Sequence, residues 1–204
     1  MNNTIGIIGL GTMGLGIASH LLDSGYQIKG YDISPERRKI FQKRGGLPTT
    51  SPKETAIGCH TLILMVFNGE QVIDVLFGKE GAVESLTPGS QVIICASVGA
   101  QACEEAAEKL KLLNISLIDS PVRGTAHSCE TGTLYLMVGA EKEAFENAKD
   151  ILNTLGSEVI YVGSKPGMGQ KAKTCMQAFF SLTFQTTYEV LSLGTAMGLD
   201  PSIV

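Results

Sequence analysis

The sequence predicts an α/β fold: a doubly wound, mostly parallel sheet followed by a long helix that would begin an all-α second domain. Three observations carry this. Short apolar runs, such as 61–66 and 91–95, alternate with helical segments, and strands that apolar are buried on both faces, as in parallel sheets covered by helices. The first of these runs ends in glycines that open the next helix. From 168 to 197 there is no proline, which predicts one long helical segment.

Taken in order, residues 4–8 (TIGII) form the first strand, and 12–23 place apolar residues at helical spacing. Strand 28–31 follows, then Ser34-Pro35-Glu36, where serine caps a helix and proline takes its first position. Next come strand 61–66, a short helix at 70–77, strand 91–95, a helix at 101–112 rich in Ala, Glu and Lys, and strand 115–118. After Asp119 the rhythm changes. A polar stretch, SPVRGTAHSCETG, leads into strand 133–138, helix 141–155, strand 158–162 and the long helix. The chain divides at 1–164, a dinucleotide-binding unit, and 165–204, the long interdomain helix. Apolar positions on several faces of that helix require partners, since propensity alone does not hold a helix in water. Self-association into a homo-oligomer is therefore expected.

Bulk composition narrows the class of function. Of 204 residues, 44% are hydrophobic and 18% charged, which suits a filled core rather than disorder. The net charge is −4 and the 16 Lys and Arg are dispersed, so nucleic acid is not an expected partner. Five cysteines form no C-x-x-C pair and the three histidines stand apart, so no metal site is expected. Such cysteines read as reduced intracellular thiols. The opening MNNTIGIIGLG has no basic leader and too short an apolar run to span a membrane. A cytoplasmic location and no membrane partner are expected.

Gly9-Leu10-Gly11-Thr12-Met13-Gly14 spells G-x-G-x-x-G between a predicted strand and a predicted helix. Gly9 permits the tight turn, Gly11 lets the backbone approach a pyrophosphate, and Gly14 lets helix and strand pack closely. The helix start then faces the phosphate with free N–H groups. Asp32 ends the second strand 18 residues after Gly14, where a carboxylate binds both adenine-ribose hydroxyls. The unit is thus of Rossmann type, and the carboxylate favours NAD over NADP. Arg37 and Arg38 read as the solvated face of the following helix.

The segment GIIGLGTMGLGIASHLLDSGY resembles the opening of the β-hydroxyacid dehydrogenases, the family of 3-hydroxyisobutyrate dehydrogenase and tartronate semialdehyde reductase. Asp119 to Thr125, continuing through Gly132-Thr133-Leu134 and Met137-Val138-Gly139, is similar to that family's substrate loop. Gly163 to Lys173, with G-M-G-Q-K-A-K, is similar to its catalytic segment, and Met65-Val66-Phe67 to a strand end that touches the cofactor. The resemblance spans essentially the whole chain. It implies NAD(H)-dependent oxidation of a short anionic hydroxy acid, or reduction of its semialdehyde, with Lys173 as the general acid and base. A desolvated lysine near another cation has a lowered pKa, which suits that task. Lys171, two residues away, projects from another side of the helix. Gln177 shares the face of Lys173 at i+4 and is a candidate for substrate binding.

The sequence departs from the family in three places. Its loop reads Pro121-Val122-Arg123-Gly124-Thr125 where P-V-S-G-G is usual, so Arg123, Gly124 and Thr125 become the candidate substrate contacts, with Arg123 offering a planar fork to an anion. An arginine-bearing loop is similar to that of the sulfolactaldehyde reductases. Met176-Gln177 replaces the usual Asn-Asn, and the glutamine is similar to that of the threonate dehydrogenase branch. Ser97-Val98 replaces Ser-Thr beside the nicotinamide, so Val98 joins Val66 and Phe67 as a cofactor candidate. His127 reads as an exposed loop histidine, and Cys175 has no base placed to activate it. Two alternatives remain open: a cofactor-binding or regulatory module without turnover, and a sulfonate-accepting aldehyde reductase. An imine reductase is disfavoured by Lys173.

Overall fold

The structure, a computed structural model, describes residues 4–204; residues 1–3, where the segment read as lacking a leader begins, lie outside the described residues. The strands are β1 (Thr4–Ile8), β2 (Gln27–Tyr31), β3 (Leu47–Pro48), β4 (Thr61–Leu64), β5 (Gln91–Ile94), β6 (Ser116–Asp119), β7 (Val122–Arg123), β8 (Leu134–Gly139) and β9 (Gly156–Gly163). The helices are α1 (Thr12–Asp23), α2 (Pro35–Lys43), α3 (Pro52–Ala56), α4 (Gly69–Phe77), α5 (Ala100–Lys111), α6 (Ala126–Glu130), α7 (Lys142–Leu155) and α8 (Met168–Ala196).

Six strands run in the order β3-β2-β1-β4-β5-β6, each parallel to its neighbours. The chain moves outward from β1 to β3, then returns to the other side of β1. That reversal opens a crevice beyond the carboxyl ends of β1 and β4, where open α/β sheets bind their ligands. Past β6 the sheet changes direction. β8 runs antiparallel to β6 and β7, and β9 adds to β8 in parallel.

The strand interiors show why the sheet is covered on both faces. Ile7, Ile63 and Ile93 enter one apolar cluster with Ile17, Phe145 and Leu152, while Ile8, Leu62, Leu64 and Ile94 enter another with Val72 and Leu110. Side chains two apart along a strand share a face, so each continuous apolar run feeds both layers. Each fully buried side chain of this kind contributes about 1.5–3 kcal/mol.

The structure ends β4 two residues and β5 one residue earlier than expected, and adds elements the apolar pattern does not mark. β4 ends at Leu64 rather than at residue 66. Met65 N still bonds the Ile8 carbonyl at 2.8 Å, after which the chain turns away to line the crevice. The polar stretch after Asp119 is not a plain loop but β7 and α6. The two-residue strands and five-residue helices are too short to show a period, and only caps announce them: Ser51 bonds Glu54 N at the start of α3, and Thr125 bonds Ser128 N at the start of α6.

α8 spans 29 residues and meets the sheet along its N-terminal part, from Gly169 and Gln170, which are buried, to Phe180, over whose ring Arg123 of β7 lies. A Cβ on Gly169 would stand 2.5 Å from the Met137 carbonyl oxygen and 2.7 Å from that of Asp119, so only a glycine lets the helix enter so close to β6 and β8. Farther along, Phe179, Leu182, Phe184, Tyr188 and Leu193 are exposed. No helix among the described residues is long and apolar enough to cross a membrane.

Candidate functional site

The crevice at the reversal of strand order encloses about 590 Å³. Gly9, Gly11, Thr12, Met13 and Gly14 form one wall, and Tyr31, Asp32, Ile33 and Arg37 its far end. Val66, Phe67, Ala96 and Ser97 lie opposite. Leu10, by contrast, is fully buried in the core and touches the site only through its backbone. Phe67 is 85% exposed, an aromatic ring at the mouth of the crevice. Val98 is half-buried just beyond the lining, at the loop between β5 and α5.

The three glycines of the turn are not equivalent. Gly9 has φ +94°, and a Cβ there would collide with the Met65 carbonyl; a Cβ on Gly14 would collide with the Gly9 carbonyl. Both are therefore required by the fold. Gly11 is not. A Cβ there would find only the Arg37 guanidinium, 3.7 Å away. Gly11 also caps α1 without any side-chain hydrogen bond to the first turn. The open space above Gly11 and the uncapped helix start fit a pyrophosphate.

Asp32 is buried at the end of β2, with Oδ2 accepting from Leu10 N at 2.8 Å and Oδ1 from Ser34 N at 2.9 Å. These bonds fix its rotamer, and each oxygen retains acceptor capacity for a ribose hydroxyl. Of the two arginines after it, Arg37 is exposed, as a solvated helix face requires, whereas Arg38 is half-buried. Arg37 donates to the Leu10 carbonyl at 3.2 Å and lines the crevice, while Arg38 donates to the Asp32 carbonyl at 2.6 Å and lies over the Tyr31 ring. Long side chains fold back onto free carbonyls near the turn, a reach that helical periodicity alone does not reveal.

Lys173 lies on the second turn of α8, half-buried, and donates to the Val122 carbonyl at 2.7 Å. Burial, and next the charge of Arg123, hold its amine below the ordinary lysine value of 10.5. No ion pair with a carboxylate engages Lys173 or Arg123 among the described residues. Lys171, in contrast, is exposed and paired with Glu104 at 2.7 Å. Arg123 is exposed and rests over the Phe180 ring, 5.0 Å from its centroid. Gln177 is exposed one turn beyond Lys173.

Two of the loop candidates have duties inside the protein. Thr125 caps α6 through a reciprocal pair of bonds with Ser128. A Cβ on Gly124 would come within 2.8 Å of Leu134 and Ser128, so packing alone accounts for that glycine. His127 is exposed, as expected, although it lies in α6 rather than in a plain loop. Four cysteines are buried, and burial raises the thiols of Cys95 and Cys129 to about 12 and about 11; Cys175 is exposed.

Asp119 and Gln170 carry a polar cluster to which the sequence reading assigned no role. Both are buried. Asp119 Oδ2 accepts from Gly167 N at 2.9 Å and Gln170 N at 3.0 Å, at the start of α8. Gln170 Nε2 donates to Asp119 Oδ1 at 2.8 Å and to the Ala96 carbonyl at 3.0 Å. Its Oε1 accepts from Val98 N at 2.9 Å and Gly99 N at 3.2 Å, at the start of α5. Burial pushes the Asp119 carboxyl up, against the downward pull of the bonds from Gln170 and Gly167. Both residues sit inside the motifs quoted above. The only signal was a polar residue in an otherwise small and apolar setting.

Comparison with known proteins points to one family. The NAD binding domain of 6-phosphogluconate dehydrogenase matches residues 4–163. An L-threonate dehydrogenase of Cupriavidus necator is 33% identical over 201 residues, which cover 98% of this chain and 68% of that protein. The human mitochondrial 3-hydroxyisobutyrate dehydrogenase is 31% identical over 200 residues, 98% of this chain and 59% of its own length. The chain thus spans about three fifths of its mammalian relatives. Among solved structures, a 3-hydroxyisobutyrate dehydrogenase of Salmonella typhimurium has a TM-score of 0.85 at 29% identity, covering 96% of this chain and 68% of that one. The 3-hydroxyisobutyrate dehydrogenase of Mycobacterium tuberculosis has a TM-score of 0.93 at 24% identity, covering 98% and 67%, and supports the fold.

Proposed function

This chain belongs to the family of the 6-phosphogluconate dehydrogenase NAD binding domain, and on that premise we propose that it serves NAD(H)-linked oxidation of a short anionic hydroxy acid, or reduction of its semialdehyde. The observation that carries the reading is the pair of cations at the loop–helix junction. Lys173 and Arg123 stand close enough for the arginine to lower the lysine's pKa, and no carboxylate of the described chain pairs with either. Two adjacent unpaired cations are stabilised by an anion that arrives from outside, and a substrate carboxylate supplies one.

A bound nicotinamide supplies the acceptor or donor of hydride. The chain's own residues do the rest. Neutral Lys173, favoured by its burial, takes the proton from the substrate hydroxyl during oxidation; its ammonium form returns the proton to the carbonyl oxygen during reduction. Arg123 leaves the Phe180 ring to hold the substrate's anion. Gln177, one turn beyond the lysine, takes a further hydroxyl, which makes a four-carbon sugar acid the favoured substrate. The first relative named above is an L-threonate dehydrogenase, which accords with this. Asp32 favours NADH because a 2′-phosphate would meet its charge. We further infer a homo-oligomer formed through α8 and a cytoplasmic setting, the latter supported by four buried thiols.

The test is NADH and NADPH fluorescence titration, followed by turnover on short hydroxy acids, their semialdehydes and a sulfonate-terminated aldehyde. Lys173→Ala is expected to lower kcat by about 10²–10⁴-fold. Arg123→Ala is expected to raise KM by about 10–100-fold, as loss of a charged hydrogen bond does. Both variants should keep NADH binding. Tighter NADPH binding overturns the cofactor assignment, and a more damaging Lys171→Ala overturns the lysine's role. A preference for the sulfonate would replace carboxylate as the anion Arg123 holds.

A further inference from the structure

We propose that Asp119 and Gln170 form a bracket that sets Lys173 against the cofactor-facing loop at 96–99, making Gln170 a positioning residue for the transfer site. This rests on the role given above to Lys173, but the bracket is visible independently of it. Three pieces of chain meet at one buried amide. The first is the loop after β5, held through the Ala96 carbonyl and the N–H groups of Val98 and Gly99. The second is the end of β6, held through Asp119. The third is the first turn of α8, to which Gln170 belongs and which Asp119 caps through Gly167 N and Gln170 N.

Lys173 follows Gln170 by three residues, so the two lie on neighbouring turns of one side of the helix. The lysine closes a second tie to the same segment of chain, since Val122 is three residues after Asp119 and its carbonyl accepts from Lys173 Nζ. Substrate loop and helix are thus pinned at two points, and the cofactor-facing loop is fastened to the first of them. Ala96 and Ser97 line the crevice. Hydrogen bonds therefore link the crevice-lining loop to the helix that carries Lys173.

Glutamine is the side chain this junction requires. Its amide presents an acceptor to the two N–H groups of the α5 start and donors to Asp119 and the Ala96 carbonyl. Glutamate would keep the acceptor, lose the donors and set a second carboxylate against Asp119. Leucine would fill similar space with no directional bond. Apolar packing tolerates sliding that a four-bond amide does not, and a displacement of about 1 Å at a reacting group costs on the order of 10²-fold in rate.

The experiment compares the unmodified chain with Gln170→Leu, Gln170→Glu and the reciprocal exchange Asp119→Asn with Gln170→Glu. Two quantities are read: kcat against the KM for NADH, and the titration of Lys173 by NMR in chain labelled at the lysine ε-carbon. Gln170→Leu is expected to lower kcat by about 10–100-fold with the NADH KM changed less than about threefold. It is also expected to move the Lys173 titration toward 10.5 as the amine gains solvent. The exchange keeps one amide facing one carboxylate and is expected to recover part of both losses. If Gln170→Leu does not fold, Gln170→Glu answers the same question on the same readings. An unchanged kcat and an unmoved Lys173 titration in the folded variant overturn the bracket. If the unmodified chain oxidises no hydroxy acid, the proposed activity fails, and the titration alone decides the bracket: a shift supports it and no shift overturns it.

Discussion

Gly11 and Gly14 stand three residues apart in the same turn, yet only one is needed by the protein itself. A methyl group on Gly14 would strike the Gly9 carbonyl, so Gly14→Ala is expected to lower the melting temperature sharply or prevent folding. Gly11 has extended backbone, φ −62° and ψ −174°, and open space above it. Gly11→Ala is expected to cost about 1 kcal/mol of stability, the loss of a good helix-capping residue, and to abolish NADH binding. Calorimetry paired with a fluorescence titration separates these effects; an alanine at 11 that binds NADH normally would remove the pyrophosphate from this turn. Lys173 allows a second test at this scale. Its pKa in the folded chain lies below the ordinary 10.5, so between those values the unfolded chain binds more protons. Stability from this residue therefore rises with pH across that window and levels off above it. Urea unfolding of the unmodified chain and Lys173→Met from pH 7 to 10.5 should show the difference shifting in favour of the lysine. A pH-independent difference would mean that the amine is not desolvated. Gly11 was legible from the spacing of its motif, and Lys173 from the resemblance of its segment to that of a family. Arg37 was not, since its position depends on a side chain folding back to a carbonyl 27 residues earlier in the chain.

Among the elements, α8 shows how far periodicity reaches. Its length follows from the absence of proline and its many apolar positions, and 29 helical residues are what the structure holds. What periodicity could not give is the unequal burial along it. The first turn is locked by Gly169 and Gln170, while Phe179, Leu182, Phe184 and Leu193 stand exposed. A helix without tertiary packing is marginal in water, so the exposed portion is expected to be protected from hydrogen exchange only where copies associate. Leu182→Glu with Phe184→Ser should shift sedimentation at micromolar concentration toward monomer and speed exchange beyond residue 178, leaving NADH affinity unchanged. A chain that sediments as a monomer before any substitution would contradict association through this helix. The short elements were hidden for the opposite reason. β7 and α6 hold too few residues for a period to form, and they persist because β8 pairs with one and α1 packs against the other.

Across the whole molecule, the dinucleotide crevice and the loop at 120–125 are parts of one sheet-borne body. β6 and β7 are separated by two residues, and both pair with β8, so the route from cofactor to Arg123 crosses no flexible joint. Ligand binding at the crevice should then stabilise the entire unit: at a hundredfold excess over Kd, NADH adds about 2.7 kcal/mol, roughly 5–10 °C in melting temperature for a chain of this size. A rise in one part of a biphasic melt would show that the body divides. The same continuity gives Gly16 an importance its position does not announce. It lies on α1 behind the phosphate turn, and a Cβ there would stand 2.7 Å from Cys129 and 3.3 Å from the Ala126 carbonyl on α6. One added methyl would wedge α6 away from α1 and drag the loop at 123–125, while the crevice side of α1 kept its shape. Gly16→Ala should therefore alter substrate KM and leave NADH binding intact. Selectivity in this scaffold would then be adjustable from behind, by a spacer change at a point where α1 and α6 touch each other and no ligand, which leaves evolution a way to retune the substrate without rebuilding the residues that hold it.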